Sequence, residues 1–111
     1  MGYWSWEDRG EQSFPIVNGH PEAMTVVPSW RQDQHAGIPA EPRNGGETFR
    51  RQCEHARRIG PRFVLVNTFN EWARGEDPSP EISKDIEPSK QFGTLYLDIL
   101  RQQAALFKAG R

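Results

Sequence analysis

Apolar positions along the chain change period several times, and the changes mark out alternating strands and helices. One unbroken apolar stretch, Phe63-Val64-Leu65-Val66, continues through Asn67, Thr68 and Phe69 into the polar tip Asn70-Glu71-Trp72. A run of this length without alternation predicts a parallel strand over 63–69 that is covered on both faces. Upstream, Phe49, Cys53, Ala56 and Ile59 recur every three or four residues, while Arg50, Arg51, Glu54, Arg57 and Arg58 fall on the other side. That spacing predicts a helix over Glu47 to Ile59, with Arg57 and Arg58 suited to its carboxyl end. Gly60 fits the left-handed position after the helix, and Pro61 blocks its continuation.

Shorter elements fill in the order. The aromatic Gly2-Tyr3-Trp4-Ser5-Trp6 predicts a short strand that leads into a polar loop at Glu7 to Gly10. A second strand is expected at Met24-Thr25-Val26-Val27, stopped by Pro28 and followed by Ser29, Trp30 and Arg31. The connection 32–46 is rich in Pro, Gly and polar residues and is long for a compact unit, as an active-site loop or a mobile surface loop would be. A last helix is expected over about 90–109, capped by Ser89, with Phe92, Leu95, Tyr96, Ile99 and Leu106 on its apolar face and Gly110 as its stop. Gly93 weakens it by about 1 kcal/mol relative to Ala, which suggests close packing there. The order is β, loop, β, loop, α, β, loop, α, with no internal repeat and no low-complexity segment.

This alternation belongs to the α/β class, and length limits what it can build. The chain has 111 residues, whereas a complete eight-stranded (β/α)₈ TIM barrel needs at least about 200. The expected architecture is therefore an incomplete one: 1–111 as a single partial domain, the carboxyl-terminal part of such a barrel with its last two to three βα units. Apolar content of 35% with 9 Pro and 10 Gly suits a surface-heavy piece. Unpaired strand edges in an incomplete barrel invite self-association.

Charge and cysteine content remove several classes. With 14 basic and 15 acidic residues, a net charge of -1 and no long run of either sign, no nucleic acid or anionic membrane surface is implied as a partner. No apolar run approaches the roughly 20 residues that span a bilayer, and no signal peptide is visible, so a cytoplasmic location is the default expectation. The single cysteine, Cys53, excludes an internal disulfide and lies on the apolar helical stripe, where a structural role is expected. His20, His35 and His55 lack paired spacing, so neither a metal nor a cofactor is called for. There is no phosphate-binding Gly-rich loop and no Gly-x-Ser-x-Gly turn.

The strand tip carries the candidate chemistry. In a parallel barrel the carboxyl ends of the strands build the active site, and Glu71 stands there between the Asn70 amide and the Trp72 indole. Acid chemistry on a sugar is one reading; local capping or ion pairing is the other. Trp72, Trp30, Trp4 and Trp6 offer flat apolar faces on which sugar rings could stack, and such indoles equally fill gaps between barrel strands and helices. Glu87, in Ile86-Glu87-Pro88, is either a further carboxylate of the site or a charge favoured by the dipole of the last helix.

Three elements in order and spacing resemble the closing segment of glycoside hydrolase family 99 and 99-like proteins, which are related to family 71. They are Asn70-Glu71-Trp72-Ala73-Arg74-Gly75, Ile86-Glu87-Pro88, and Phe92-Gly93-Thr94-Leu95-Tyr96-Leu97. The match covers about Phe63 to Leu100, with weaker echoes at Tyr3 to Trp6 and Val27 to Arg31. The resemblance implies a (β/α)₈ barrel acting on α-linked mannose or a related polysaccharide. It further implies Glu71 as the acid that activates the sugar 2-hydroxyl, with Asn70, Trp72 and Glu87 around the sugar. The family's second acid corresponds to Arg74, and a guanidinium does not act as a proton donor near neutral pH. Cleavage of a glycosidic bond needs such a donor. Glu76 or Asp77 would have to stand in for it, with Arg74 left as a sugar-binding group. Two functions are thus expected: a glycoside hydrolase portion, inactive as an isolated fragment, or a non-catalytic carbohydrate-binding or interaction piece derived from such a barrel.

Overall fold

The computed structural model describes residues 5–6, 11–12, 15–29, 42–67, 69 and 85–110. Its centre is a parallel pair, β5 (Ala23–Val26) beside β6 (Phe63–Val66), in the register Ala23↔Phe63 to Val26↔Val66. Two small antiparallel hairpins precede the pair. In the first, β1 (Ser5–Trp6) pairs with β2 (Glu11–Gln12), and in the second, β3 (Ile16–Val17) pairs with β4 (His20–Pro21). The second hairpin turns at Asn18 and Gly19, whose φ values of 52° and 77° are both positive, as the tight hairpin turn favoured by Asn-Gly requires. A helix, α1 (Glu47–Ile59), connects β5 to β6, and a second helix, α2 (Leu95–Ala109), follows β6. Among the described residues the central sheet has two strands and does not close.

Helix α1 forms where the spacing predicts it. Phe49, Cys53 and Ala56 are buried, Glu47 sits in the first turn, and Arg57 and Arg58 sit in the last, where they complement the helix dipole. Its end is set by Gly60, at φ 71°, whose N–H donates to the Ala56 carbonyl at 2.8 Å. Its start is set by packing. Gly46 has φ 96°, and a Cβ there would lie 2.8 Å from Ile99 Cδ1 of α2. The two helices therefore approach each other at a position that only glycine suits.

The core lies between one face of the sheet and the two helices. Met24 and Val26 of β5 meet Phe49, Cys53 and Ala56 of α1, Tyr96 and Ile99 of α2, and Ile86, with Val64 and Val66 packed against them. Phe49, Tyr96 and Phe92 pack in sequence, the first pair tilted and the second edge-to-face, at centroid distances of 5.9 Å and 5.5 Å. Each large side chain buried here is worth about 1.5–3 kcal/mol relative to exposure.

Three expectations are corrected. The strand expected over 63–69 runs only over Phe63–Val66, and its far face is not covered: Phe63 is 54% and Leu65 40% exposed. Both helices pack on the Val64 and Val66 face. On the other face Ala23 and Thr25 are buried, so the cover stops at β5. The helix expected from about residue 90 begins at Leu95. Ser89 caps a tight turn instead: its Oγ accepts the Phe92 N–H at 3.1 Å, and its backbone pairs with that of Gly93. Gly93 serves that turn through its positive φ of 54° and not through close packing, since a Cβ there would meet nothing within 4 Å.

Candidate functional site

The carboxyl ends of β5 and β6 are held by backbone and buried amide contacts. After β5, Val27, Pro28 and Ser29 are buried, and the Val27 N–H donates to the Gln52 side-chain oxygen of α1 at 2.9 Å. After β6, the Asn67 N–H donates to the Val26 carbonyl at 3.1 Å and extends the pairing by one residue. Beyond it, the exposed Phe69 offers its carbonyl to the Glu87 N–H at 2.9 Å. That bond ties the Ile86-Glu87-Pro88 element to the tip of β6.

Of the residues singled out from sequence, Glu87 alone is described with its side chain, half-buried beside this tip. Asn70, Glu71, Trp72, Arg74, Glu76, Asp77, Trp30 and Trp4 lie outside the described residues, and Trp6 is placed as the β1 residue opposite Glu11. The alternative for Glu87, a charge at the start of the last helix, loses its basis because α2 starts eight residues later.

A buried cation that sequence reasoning passed over supports the same region. Arg43, expected to lie in the long loop, is almost fully buried and donates from Nη2 to the Asp85 carbonyl at 2.5 Å. Its guanidinium carbon lies 4.4 Å from the Tyr96 ring centroid and 4.9 Å from that of Phe92. Both are within the range of a cation–π contact, which gains strength when water is excluded. Arg43 thereby joins the segment before Glu87 to the first turns of α2. The local chain supports it: Thr48 Oγ1 donates to the Pro42 carbonyl at 2.5 Å, and the Gly46 N–H to the Arg43 carbonyl at 3.0 Å. Pro42-Arg43 carries no sequence signal for burial. Gln52 does, being a polar residue within the Phe49, Cys53, Ala56 stripe.

Elsewhere, burial pushes the Cys53 thiol up to about 12, with Arg57 opposing and Glu54 adding to the shift. Such a thiol stays protonated and packs as an apolar group. A cavity of about 540 Å³ opens at the amino-terminal end of β6, lined by His20, Arg57, Pro61, Arg62 and Phe107. It lies at the opposite end of the sheet from Glu87. Its arginines already have partners, Arg57 in Gln103 at 3.1 Å and Arg62 in Glu22 at 3.5 Å. Among the described residues no three His, Cys, Asp or Glu side chains gather as metal ligands, and no helix is long and apolar enough to cross a membrane. No protein-family model, no curated protein and no solved structure matches this chain.

Proposed function

We propose that the chain is the carboxyl-terminal portion of a glycoside hydrolase of the (β/α)₈ barrel type, similar to family 99, acting on α-linked mannose-type or related polysaccharide. The observation that carries this reading is the hydrogen bond from the Glu87 N–H to the Phe69 carbonyl. It brings the Ile86-Glu87-Pro88 element to Phe69, the residue that precedes Asn70-Glu71-Trp72 in the sequence. A parallel βαβ pair followed by a helix is also the repeating unit of such a barrel.

In this reading Glu71 takes the proton of the sugar 2-hydroxyl, whose oxygen attacks the anomeric carbon as the glycosidic bond breaks. The leaving oxygen then needs a proton. Arg74 does not supply it, which leaves Glu76 as the nearest candidate donor. Asn70, Trp72, Arg74, Glu87, Trp30, Trp4 and Trp6 would bind the sugar.

The same Arg74 favours a second reading, a carbohydrate-binding piece without turnover. One experiment separates the two: an α-linked manno-oligosaccharide is titrated into the chain by calorimetry, and products are followed by chromatography, for wild type and Glu71→Gln. Turnover that vanishes in the variant supports the hydrolase. Binding without turnover supports the second reading, and no binding at about 10 mM sugar, well above the millimolar constants of weak sites, refutes both.

A further inference from the structure

Independently of the sugar reading, we propose that Asn18 is a modification site, at which the folded chain deamidates through a cyclic imide to isoaspartate while Asn44 is protected. The chain holds two Asn-Gly pairs, Asn18-Gly19 and Asn44-Gly45. Asparagine is among the thermolabile residues, and a following glycine has no side chain to shield its backbone nitrogen, so both pairs qualify on sequence. Their backbones are also alike: φ is 52° and 77° in the first pair, 50° and 63° in the second. The surroundings separate them.

The reaction is a ring closure. The Gly19 nitrogen gives its proton to hydroxide and attacks the side-chain carbonyl carbon of Asn18; a C–N bond forms and ammonia leaves. Water then opens the imide at either carbonyl, giving aspartate or isoaspartate. A left-handed turn residue does not hold its side chain against the next nitrogen, so ψ must first swing away from the turn value. The rate therefore follows how readily each loop opens.

The Asn18 loop opens at little cost. Asn18 and Gly19 are exposed, and among the described residues the Asn18 side chain has no hydrogen-bond partner. The hairpin that carries them has two residue pairs, one of which, Ile16↔Pro21, lacks an N–H on the proline side. Its apolar side chains, Ile16 and Val17, are exposed, so no core contact holds the loop shut. A two-stranded hairpin of this kind is marginal by itself.

Asn44 is tied down. Its Nδ2 donates to Thr48 Oγ1 at 3.0 Å and to the Pro42 carbonyl at 3.3 Å. The turn Asn44–Gly46 leads straight into α1, and the N–H groups of Gly46 and Thr48 both donate to the Arg43 carbonyl. Swinging ψ of Asn44 breaks these bonds and displaces the buried Gly46. Loss of the two side-chain bonds alone slows Asn44 roughly 30-fold relative to Asn18, the equivalent of about 2 kcal/mol. Isoaspartate at Asn18 adds a backbone methylene and a carboxylate to a two-residue loop, which then no longer fits the tight turn.

Ageing the intact chain at mildly alkaline pH, with tryptic mapping by mass spectrometry, tests the proposal. Trypsin places the two sites in separate peptides, 10–31 and 44–50, and electron-transfer fragmentation distinguishes isoaspartate from aspartate. In the folded chain, peptide 10–31 should convert at least about tenfold faster than 44–50, and Asn18→Gln should abolish the conversion. In concentrated urea the two rates should converge, because only folding separates them. Equal rates in the folded chain, faster conversion of 44–50, or a difference that persists in urea would each overturn the proposal. So would a folded peptide 10–31 that stays unmodified while the unfolded chain converts.

Discussion

Replacing Arg43 with Ala should destabilise the chain and loosen the Glu87 element together. The guanidinium makes one charge-assisted hydrogen bond, to the Asp85 carbonyl at 2.5 Å, and lies over two rings at 4.4 Å and 4.9 Å. The bond is worth about 1.5–3 kcal/mol, and the ring contacts about 2 kcal/mol where water is excluded. Against this, the buried Nε has no hydrogen-bond partner, which costs about 1–3 kcal/mol that removal of the side chain returns. The cavity left by the stem adds to the loss. The net expectation is a loss of about 2–4 kcal/mol, or roughly 8–16 °C in Tm for a chain of this size. Urea and thermal unfolding by circular dichroism measure it. Hydrogen exchange at the Glu87 amide, bonded to Phe69, should accelerate in parallel. Arg43→Lys should recover less than half of the loss, because the compact ammonium lacks the spread of guanidinium donors that lets Arg43 reach the carbonyl while it stays over the rings. A change within about 0.5 kcal/mol for Arg43→Ala, or an unchanged Glu87 exchange rate, would refute the view that Arg43 positions this region.

Three further outcomes are expected. Stability should fall as pH rises from about 9 towards 12, because the folded state holds the Cys53 proton after the unfolded chain has released it. The slope is up to about 1.4 kcal/mol per pH unit, and Cys53→Ala should remove it in alkaline urea titrations. Gly60→Ala should cost about 1–2 kcal/mol through its positive φ alone, while Gly46→Ala should cost more, because its Cβ also meets Ile99. Unfolding of the two variants side by side gives the comparison. Phe49→Ala, which removes a fully buried ring from the core beside Tyr96, should cost about 3–5 kcal/mol in the same assay.

Helix α1 and its terminating Gly60 were legible because helix periodicity and capping are local properties of a dozen residues. The Asn18–Gly19 hairpin was legible in principle, but its two-residue strands lie below the length that apolar runs resolve. The start of α2 was not legible: Ser89 has the chemistry of a helix cap, and the same hydroxyl geometry equally closes a turn. The positive φ of Gly93 decides between them. Nor did the candidate site announce its support, since Arg43 sits in a stretch of Pro, Gly and polar residues that reads as surface.

What the amino-acid order determined by itself was therefore the identity of the long elements and the polar tip Asn70-Glu71-Trp72 that follows the apolar run. Both depend on neighbours within one or two turns. Tertiary structure alone decided that both helices cover one face of the sheet, leaving Phe63 and Leu65 exposed on the other. It alone also decided that Arg43 is buried over two aromatic rings and that Glu87 is hydrogen-bonded to Phe69, just beyond β6. These depend on groups brought together from distant parts of the chain, and an apolar run has the same appearance whether one face or two will be covered.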